Sequence, residues 1–117
     1  MDEQRARRLV AAERHRIEAA LSELTGDLRS DEALESDQAG EASESGNRLQ
    51  AEMIETALIA GLREQLQAVE RAEQRLARGT YGLSIESGRQ IPDERLEVEP
   101  LAERTIDEQA RYERGRP

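Results

Sequence analysis

Two long stretches of this sequence carry apolar residues at heptad spacing, and this pattern constrains the fold more than any other feature. The rows are Val10, Ile17 and Leu24 within residues 3–28, and Leu62, Val69 and Leu76 within residues 48–78, where Met53, Ile54 and Leu58 extend the stripe. Apolar residues at this period predict two amphipathic helices. Each helix has one apolar stripe, which it can bury only against a partner helix.

The composition favours helices over a thick globular core. Of the 117 residues, 37% are charged and 2% are aromatic, and Phe, Trp and Cys are absent. Aromatic side chains usually supply much of the buried area of a core, whereas Ala, Glu, Leu, Arg and Gln are strong helix formers. We therefore expect a mainly α fold, with a long antiparallel helical hairpin over residues 1–78. A homodimer would bury the same stripes, but we expect a monomer.

The net charge narrows the choice of partner. At a formal charge of -9, the chain would be repelled by phosphates, so direct binding of nucleic acid is not expected. Basic protein surfaces would attract it. No apolar run approaches the roughly 20 residues of a membrane span, and the first 16 residues lack the apolar core of a secretory signal. We expect a cytoplasmic protein without membrane contact.

An acidic stretch, "RSDEALESDQAGEASESGN" at residues 29–47, separates the two heptad regions. It contains six carboxylates, one arginine and few residues to bury. Such a composition predicts a mobile acidic loop at the tip of the hairpin. Its second half could equally form the first turns of the second helix.

The C-terminal third reads as a small separate module, residues 79–117, which we call the finger. In "GTYGLSIESGRQIPDERLEVEP", residues 79–100, apolar and polar residues alternate before Ser87-Gly88, which predicts a β-hairpin. Pro92 and Pro100 bracket a stretch that we expect to be irregular. A short helix is predicted from Leu101 to about Tyr112.

This module resembles the finger of the DksA/TraR family of bacterial transcription regulators, which follows the pattern GxYGxCxxCGxxIPxxRLxxxPxxxxCxxC. Without a gap, the matching residues are Gly79, Tyr81, Gly82, Gly88, Ile91, Pro92, Arg95, Leu96 and Pro100. The four cysteine positions hold Ser84, Ser87, Thr105 and Glu108. Structural zinc needs thiolate or imidazole ligands, and the only histidine, His15, lies in the first helical stretch. We expect no metal and no cofactor.

A finger without zinc needs another source of stability, because zinc contributes on the order of 10 kcal/mol to folding in finger peptides. We predict that apolar packing replaces the metal, since each buried aliphatic side chain contributes roughly 1.5–3 kcal/mol. The candidate residues are Tyr81, Leu83, Ile85, Ile91, Leu96, Val98, Leu101 and Ile106.

The resemblance also implies a partner and a mode of action. In this family the coiled coil enters the secondary channel of RNA polymerase, and an acidic DxxDxA motif at its tip reaches towards the active site. A gap-free count places that motif on residues 41–46, with Glu41, Glu44 and Gly46 at its three defined positions. The resemblance thus implies a transcription regulator that binds RNA polymerase without contacting DNA.

Two other functions stay open at this point. A structural or adaptor coiled coil would keep the fold without binding polymerase. A transcript-cleavage-type factor would use paired carboxylates to hold a magnesium ion. The sequence has no cysteine and no Ser/His/Asp constellation suited to catalysis, so we expect that the protein is not an enzyme.

Overall fold

The computed structural model describes residues 1–35 and 45–115 of the chain. Four helices lie within these ranges: α1 (Glu3–Glu35), α2 (Ser45–Arg78), α3 (Asp93–Val98) and α4 (Ile106–Arg114). The two long helices, α1 and α2, pack as a hairpin, which confirms the predicted mainly α fold. Among the described residues, no helix has the length and apolar character required to cross a membrane.

Both long helices extend into the acidic stretch that was expected to be a loop. The helix α1 continues to Glu35, and α2 begins at Ser45. Helix propensity explains the extension of α1, because Leu, Arg, Glu and Ala are good helix formers and one internal glycine, Gly26, costs only about 1 kcal/mol. The start of α2 agrees with the alternative in which the second half of the stretch opens the next helix.

Residues 1–14 and 68–115 form one compact unit. Its helical part buries two of the predicted heptad residues completely, since Val10 is 1% exposed and Val69 is 0% exposed. Beside this stripe, the Arg14 guanidinium donates two hydrogen bonds to the Glu73 carboxylate, at 2.9 and 2.8 Å. The pKa of Glu73 is lowered, chiefly by this hydrogen bonding.

Residues 15–67 form a second compact unit. Here Ile17 is fully buried, and five other heptad residues are partly buried: Leu21, Leu24, Ile59, Leu62 and Leu66. The predicted extension of the stripe is wrong, because Met53, Ile54 and Leu58 are 64%, 61% and 52% exposed. At about 3.6 residues per turn these side chains flank the line of Ile59, Leu62 and Leu66 and do not continue it.

The finger has a smaller apolar core than expected. Ile91, Leu96 and Ala102 are buried together, and Met1 and Tyr81 pack against them. Four of the eight predicted core residues are instead exposed, by 37% to 81%: Leu83, Ile85, Val98 and Ile106. Leu101 is partly buried. The finger therefore buries fewer of its apolar side chains than the sequence predicts.

Two features of the finger backbone explain these exposed residues. In place of strands, the described part of the predicted hairpin contains one isolated antiparallel bridge between Leu83 and Gln90. The stretch expected to be irregular contains α3, which begins after Pro92. Because successive residues of a helix are turned by about 100°, α3 points Leu96 into the core and Val98 into solvent.

Candidate functional site

The first half of the candidate site is a tight turn beside the Leu83–Gln90 bridge. The Ser84 N–H donates to the Arg89 carbonyl at 2.8 Å, and the Gly88 N–H donates to the Ser84 carbonyl at 3.0 Å. Gly88 has a φ of 75°, which glycine adopts without steric cost. The turn buries Ser84, which is 5% exposed, and leaves Ser87 at the surface.

Both serine hydroxyls of this turn accept hydrogen bonds from the backbone. The Ser84 Oγ accepts from the N–H groups of Glu86 and Ser87, at 3.1 and 3.2 Å. The Ser87 Oγ accepts from the Arg89 N–H at 3.2 Å. A hydroxyl has one donor and two acceptor positions, so each serine still has its O–H available to donate.

The second half of the site is the start of α4, where Thr105 and Glu108 form a capping box. The Thr105 N–H donates to Glu108 Oε1 at 2.9 Å, and the Glu108 N–H donates to Thr105 Oγ1 at 3.3 Å. This reciprocal pair satisfies two N–H groups at the helix start. The cap explains why α4 begins at Ile106 and not at the predicted Leu101.

The Glu108 carboxylate is the ionisable group among the four positions. Its Oε1 accepts a hydrogen bond from the Thr105 N–H at 2.9 Å. The pKa of Glu108 is lowered to about 2, first by the Ser87 side chain and then by the Thr105 N–H and the Ser84 side chain, although Glu108 is buried.

The residues at these four positions do not fit a zinc ion. Serine and threonine hydroxyls are neutral at ordinary pH, and the hydroxyl oxygens of Ser84, Ser87 and Thr105 accept hydrogen bonds from backbone N–H groups. Glu108 is the only one of the four that carries a negative charge. Within residues 1–35 and 45–115, no group of three or more His, Cys, Asp or Glu side chains is placed to hold a metal ion.

A charged anchor attaches the finger to α2. The Glu103 carboxylate accepts hydrogen bonds from Arg71, at 3.0 and 3.2 Å, and from Arg75, at 3.0 Å. Burial would raise the pKa of Glu103, but the hydrogen bond from Arg71 and the charges of Arg71 and Arg75 outweigh burial and lower it. The Glu103 carbonyl also accepts from the Ile85 N–H at 2.9 Å, so the anchor reaches the serine turn.

Other residues of the matched pattern hold the finger backbone. The Tyr81 hydroxyl donates to the Pro100 carbonyl at 2.8 Å, and Arg95 Nε donates to the Arg104 carbonyl at 3.0 Å. Gly82 has a φ of 84°, and an added Cβ would lie 3.4 Å from Leu96 Cδ1. Glycine thus allows both the backbone conformation and the close approach of the core leucine.

The predicted acidic tip is only partly within the described residues. Glu41 and Glu44 lie outside them. Gly46 lies in the first turn of α2, where it is exposed and has no neighbouring atom within 4 Å of an added Cβ. The role of all three in binding polymerase stays a prediction.

The sequence contained signals for two features that we did not predict. Thr105-Ile-Asp-Glu108 is a capping-box sequence, in addition to holding two of the four positions that carry zinc ligands in the family pattern. The anchor of Arg71, Arg75 and Glu103 had a weaker signal, because its charges are about 30 residues apart and resemble the many surface charges of the chain.

Comparisons with known proteins identify relatives of the finger and of the whole fold. Residues 79–114 match the sequence model of the prokaryotic dksA/traR C4-type zinc finger. General stress protein 16O of Bacillus subtilis (strain 168) is 47% identical over 51 residues, which cover 44% of this chain and 31% of that protein. The solved structure of transcription factor DksA2 from Pseudomonas aeruginosa has a TM-score of 0.79 and 25% identity, and the match covers 96% of this chain and 83% of that one.

Proposed function

We propose, since the chain is a cysteine-less member of the DksA/TraR family, that it regulates transcription by binding RNA polymerase. In this proposal the helical hairpin enters the secondary channel of the enzyme, and the protein acts in the cytoplasm as a monomer without contacting DNA. Residues 1–78 provide the rod, and residues 79–117 provide the metal-free finger.

The observation that carries the proposal is the similarity over nearly the whole chain to a transcription factor. The match covers both long helices as well as the finger, since it extends over 96% of this chain. The helices provide the reach that a channel-binding protein needs, because the 34 residues of α2 span roughly 50 Å at 1.5 Å per residue. The finger adds a family signature that generic coiled coils lack.

The charge of the chain supports the same partner. A formal net charge of -9 favours approach to a basic surface and disfavours approach to nucleic acid. Between the last described residue of α1, Glu35, and the first residue of α2, Ser45, the sequence contains Glu41 and Glu44. We propose that these two carboxylates, with Gly46 after them, make the regulatory contact with the polymerase.

One observation favours a second candidate function, that of an adaptor coiled coil. Large apolar side chains on α2 are more than half exposed: Leu49, Met53, Ile54 and Leu58. Such side chains suit contact with another protein or with a second copy of the chain. A stable dimer in sedimentation at micromolar concentration, together with no affinity for polymerase, would favour this function.

The first experiment is capture of core RNA polymerase by the full-length chain, followed by competition with a transcript-cleavage factor that occupies the secondary channel. We expect the captured polymerase to be released as the competitor saturates. Binding that persists at saturation would place the contact elsewhere on the polymerase. No binding at all would reject the proposal.

A matched pair of variants then tests the acidic tip. Glu41→Gln/Glu44→Gln removes two charges from the proposed tip, and Glu52→Gln/Glu64→Gln removes two exposed charges from α2. If the tip makes the regulatory contact, only the first variant loses its effect on transcription in a purified promoter assay. Equal losses would show that the acids act only through overall charge.

The same assay separates regulation from transcript cleavage. We expect no magnesium-dependent release of RNA from stalled complexes above the intrinsic activity of the polymerase. Release that decreases in Glu41→Gln/Glu44→Gln but not in the control variant would instead indicate a cleavage factor.

A further inference from the structure

The last helix of the finger, α4, buries no apolar side chain. Of its 9 residues only Glu108 is buried, while Ile106 and Tyr112 are 63% and 41% exposed. Within the described part of the chain, the apolar core around Leu96 contains no residue of α4. Isolated helices shorter than about 12–15 residues are marginal in water, so contacts made from outside α4 are needed to keep it folded.

Arg104, which lies just before the Thr105 cap of α4, makes such a contact. Its Nε donates to Glu86 Oε2 at 2.7 Å, which connects it to the turn at residues 84–89. The Cζ of its guanidinium also lies 3.8 Å over the centre of the Tyr112 ring, a position in which a cation is attracted to the face of an aromatic ring. We call Glu86, Arg104 and Tyr112 the latch.

The backbone that carries Arg104 is held by parts of the finger other than α4. Arg95 Nε donates to the Arg104 carbonyl at 3.0 Å. The Ile85 N–H donates to the preceding carbonyl, that of Glu103, at 2.9 Å. Neither bond involves residues 106–114, so both remain if α4 moves. The Arg104 side chain, which is only 16% exposed, thus contacts α4 from a fixed position.

We infer that the latch is a conformational device: it holds α4 on the finger, and when its contacts break, α4 leaves and unfolds while the core around Leu96 stays folded. Regions with few buried apolar contacts open at the lowest cost in free energy. The Glu86 side chain is 46% exposed, and an ion pair with a partly exposed member is weak and screened by salt. The ionic strength therefore sets the population of the open form.

The test uses Arg104→Gln in the full-length chain, with Arg111→Gln as its matched control. Arg104→Gln removes the cation that Glu86 and Tyr112 share. Arg111→Gln removes the same charge from an exposed position of α4, so a general effect of charge appears in both variants. Arg104→Lys keeps the charge but loses the planar group that stacks on an aromatic ring, and its effect should lie between those of the other two.

Amide hydrogen exchange, measured by NMR, separates opening of α4 from unfolding of the finger. The Gln109 N–H donates to the Thr105 carbonyl at 2.8 Å and reports on α4. The Ile91 N–H donates to the Gly82 carbonyl at 2.7 Å and reports on the core. Opening of α4 alone accelerates exchange at Gln109 and leaves exchange at Ile91 unchanged.

We expect exchange at Gln109 to be about tenfold faster in Arg104→Gln, because an ion pair and a cation–π contact are lost together. In Arg111→Gln it should be less than about twofold faster, as expected for an exposed charge. Exchange at Ile91 should change by less than about twofold in both variants, since the core keeps its contacts. Equal effects of Arg104→Gln and Arg111→Gln at Gln109 would overturn the inference.

Salt gives an independent measurement on the unsubstituted chain. Raising the salt concentration from about 50 mM to about 1 M should accelerate exchange at Gln109 relative to Ile91 by about threefold, because screening weakens the pair of Arg104 and Glu86. This acceleration should be absent in Arg104→Gln. A salt effect of the same size in Arg104→Gln would show that another contact holds α4.

Variants of Tyr112 decide the outcome if Arg104→Gln also exposes Ile91 to exchange. Tyr112→Leu removes the aromatic face and should accelerate exchange at Gln109 alone, by about threefold, whereas Tyr112→Phe keeps the face and should have less than half this effect. Acceleration at both amides in Tyr112→Leu, or equal effects of the two variants, would contradict the latch. Acceleration at Gln109 in Ser87→Ala but not in Tyr112→Leu would show that the serine turn holds α4 instead.

Discussion

Replacing Leu96 by alanine tests how much of the finger depends on its small apolar core. Leu96 is 1% exposed and packs in a cluster whose other buried residues are Ile91, at 0%, and Ala102, at 8% exposure. Leucine-to-alanine changes in cores cost roughly 2.7–5.0 kcal/mol, with the larger values where the surroundings cannot collapse into the cavity. Collapse is restricted here, because the Gly82 backbone next to Leu96 is held by the Ile91 N–H, which donates to its carbonyl at 2.7 Å.

We therefore expect Leu96→Ala to lower the free energy of unfolding by about 3 kcal/mol. Alanine is a slightly better helix former than leucine, but this gain is only a few tenths of a kcal/mol. The matched control is Val98→Ala in the same helix, α3, where the valine is 81% exposed. Its effect should stay within about 0.5 kcal/mol of zero.

Urea unfolding followed by circular dichroism, together with amide exchange of Ile91, would measure both variants. Exchange at Ile91 distinguishes loss of the finger from loss of the long helices. If Leu96→Ala costs less than about 1 kcal/mol, or if Val98→Ala costs as much as Leu96→Ala, the core described here does not stabilise the finger, because buried and exposed aliphatic groups should differ in this way.

Three further predictions concern the backbone, the anchor and acid stability. Gly82→Ala should cost about 1–2 kcal/mol in unfolding free energy, because alanine is strained in the left-handed backbone conformation of residue 82. It should cost more than Gly88→Ala, since the space around a Cβ added at Gly88 is open. A lower melting temperature for Gly88→Ala than for Gly82→Ala would contradict the close contact at Gly82. Glu103→Gln should cost about 1–3 kcal/mol, since it leaves a buried arginine of α2 without its charged partner. Glu99→Gln, where the glutamate of the ion pair is itself 61% exposed, should change stability by less than about 0.5 kcal/mol. The pKa of Glu108 is lowered to about 2 in the folded chain. Its contribution to the free energy of unfolding should therefore be fully present above its ordinary pKa, near 4.5, and should be lost as the pH falls towards 2. A melting temperature that falls equally in the unsubstituted chain and in Glu108→Gln over this pH range would count against this prediction.

The helical hairpin shows which structural features a local sequence pattern can predict. The heptad rows predicted both helices, and Val10, Ile17 and Val69 are buried as that pattern requires. The acidic charge of residues 29–47 predicts a loop, and this prediction misplaces the ends of both helices. Helix propensity is a local property that persists in a polar segment, and this explains why α1 reaches Glu35.

In the finger, the turn residues were predicted well and the burial of side chains was not. Its spaced glycines and prolines were sufficient to recognise the family, since these residues are needed for particular turns whatever surrounds them. Burial was predicted poorly, because alternation of polar and apolar residues implies a buried face only if something packs against it. With a single bridge at Leu83, the face that carries Ile85 has no such cover, and Ile85 is 52% exposed.

The sequence by itself determined the helix-forming segments, the turn positions and the absence of thiolate ligands, because each of these follows from residue types within a few positions of one another. Only the tertiary structure decided that Arg71 and Arg75 share the Glu103 carboxylate. The two arginines lie 32 and 28 positions from Glu103 along the chain, and neither an arginine nor a glutamate indicates its partner. The path of the chain between them, through the core around Leu96, brings these charges together.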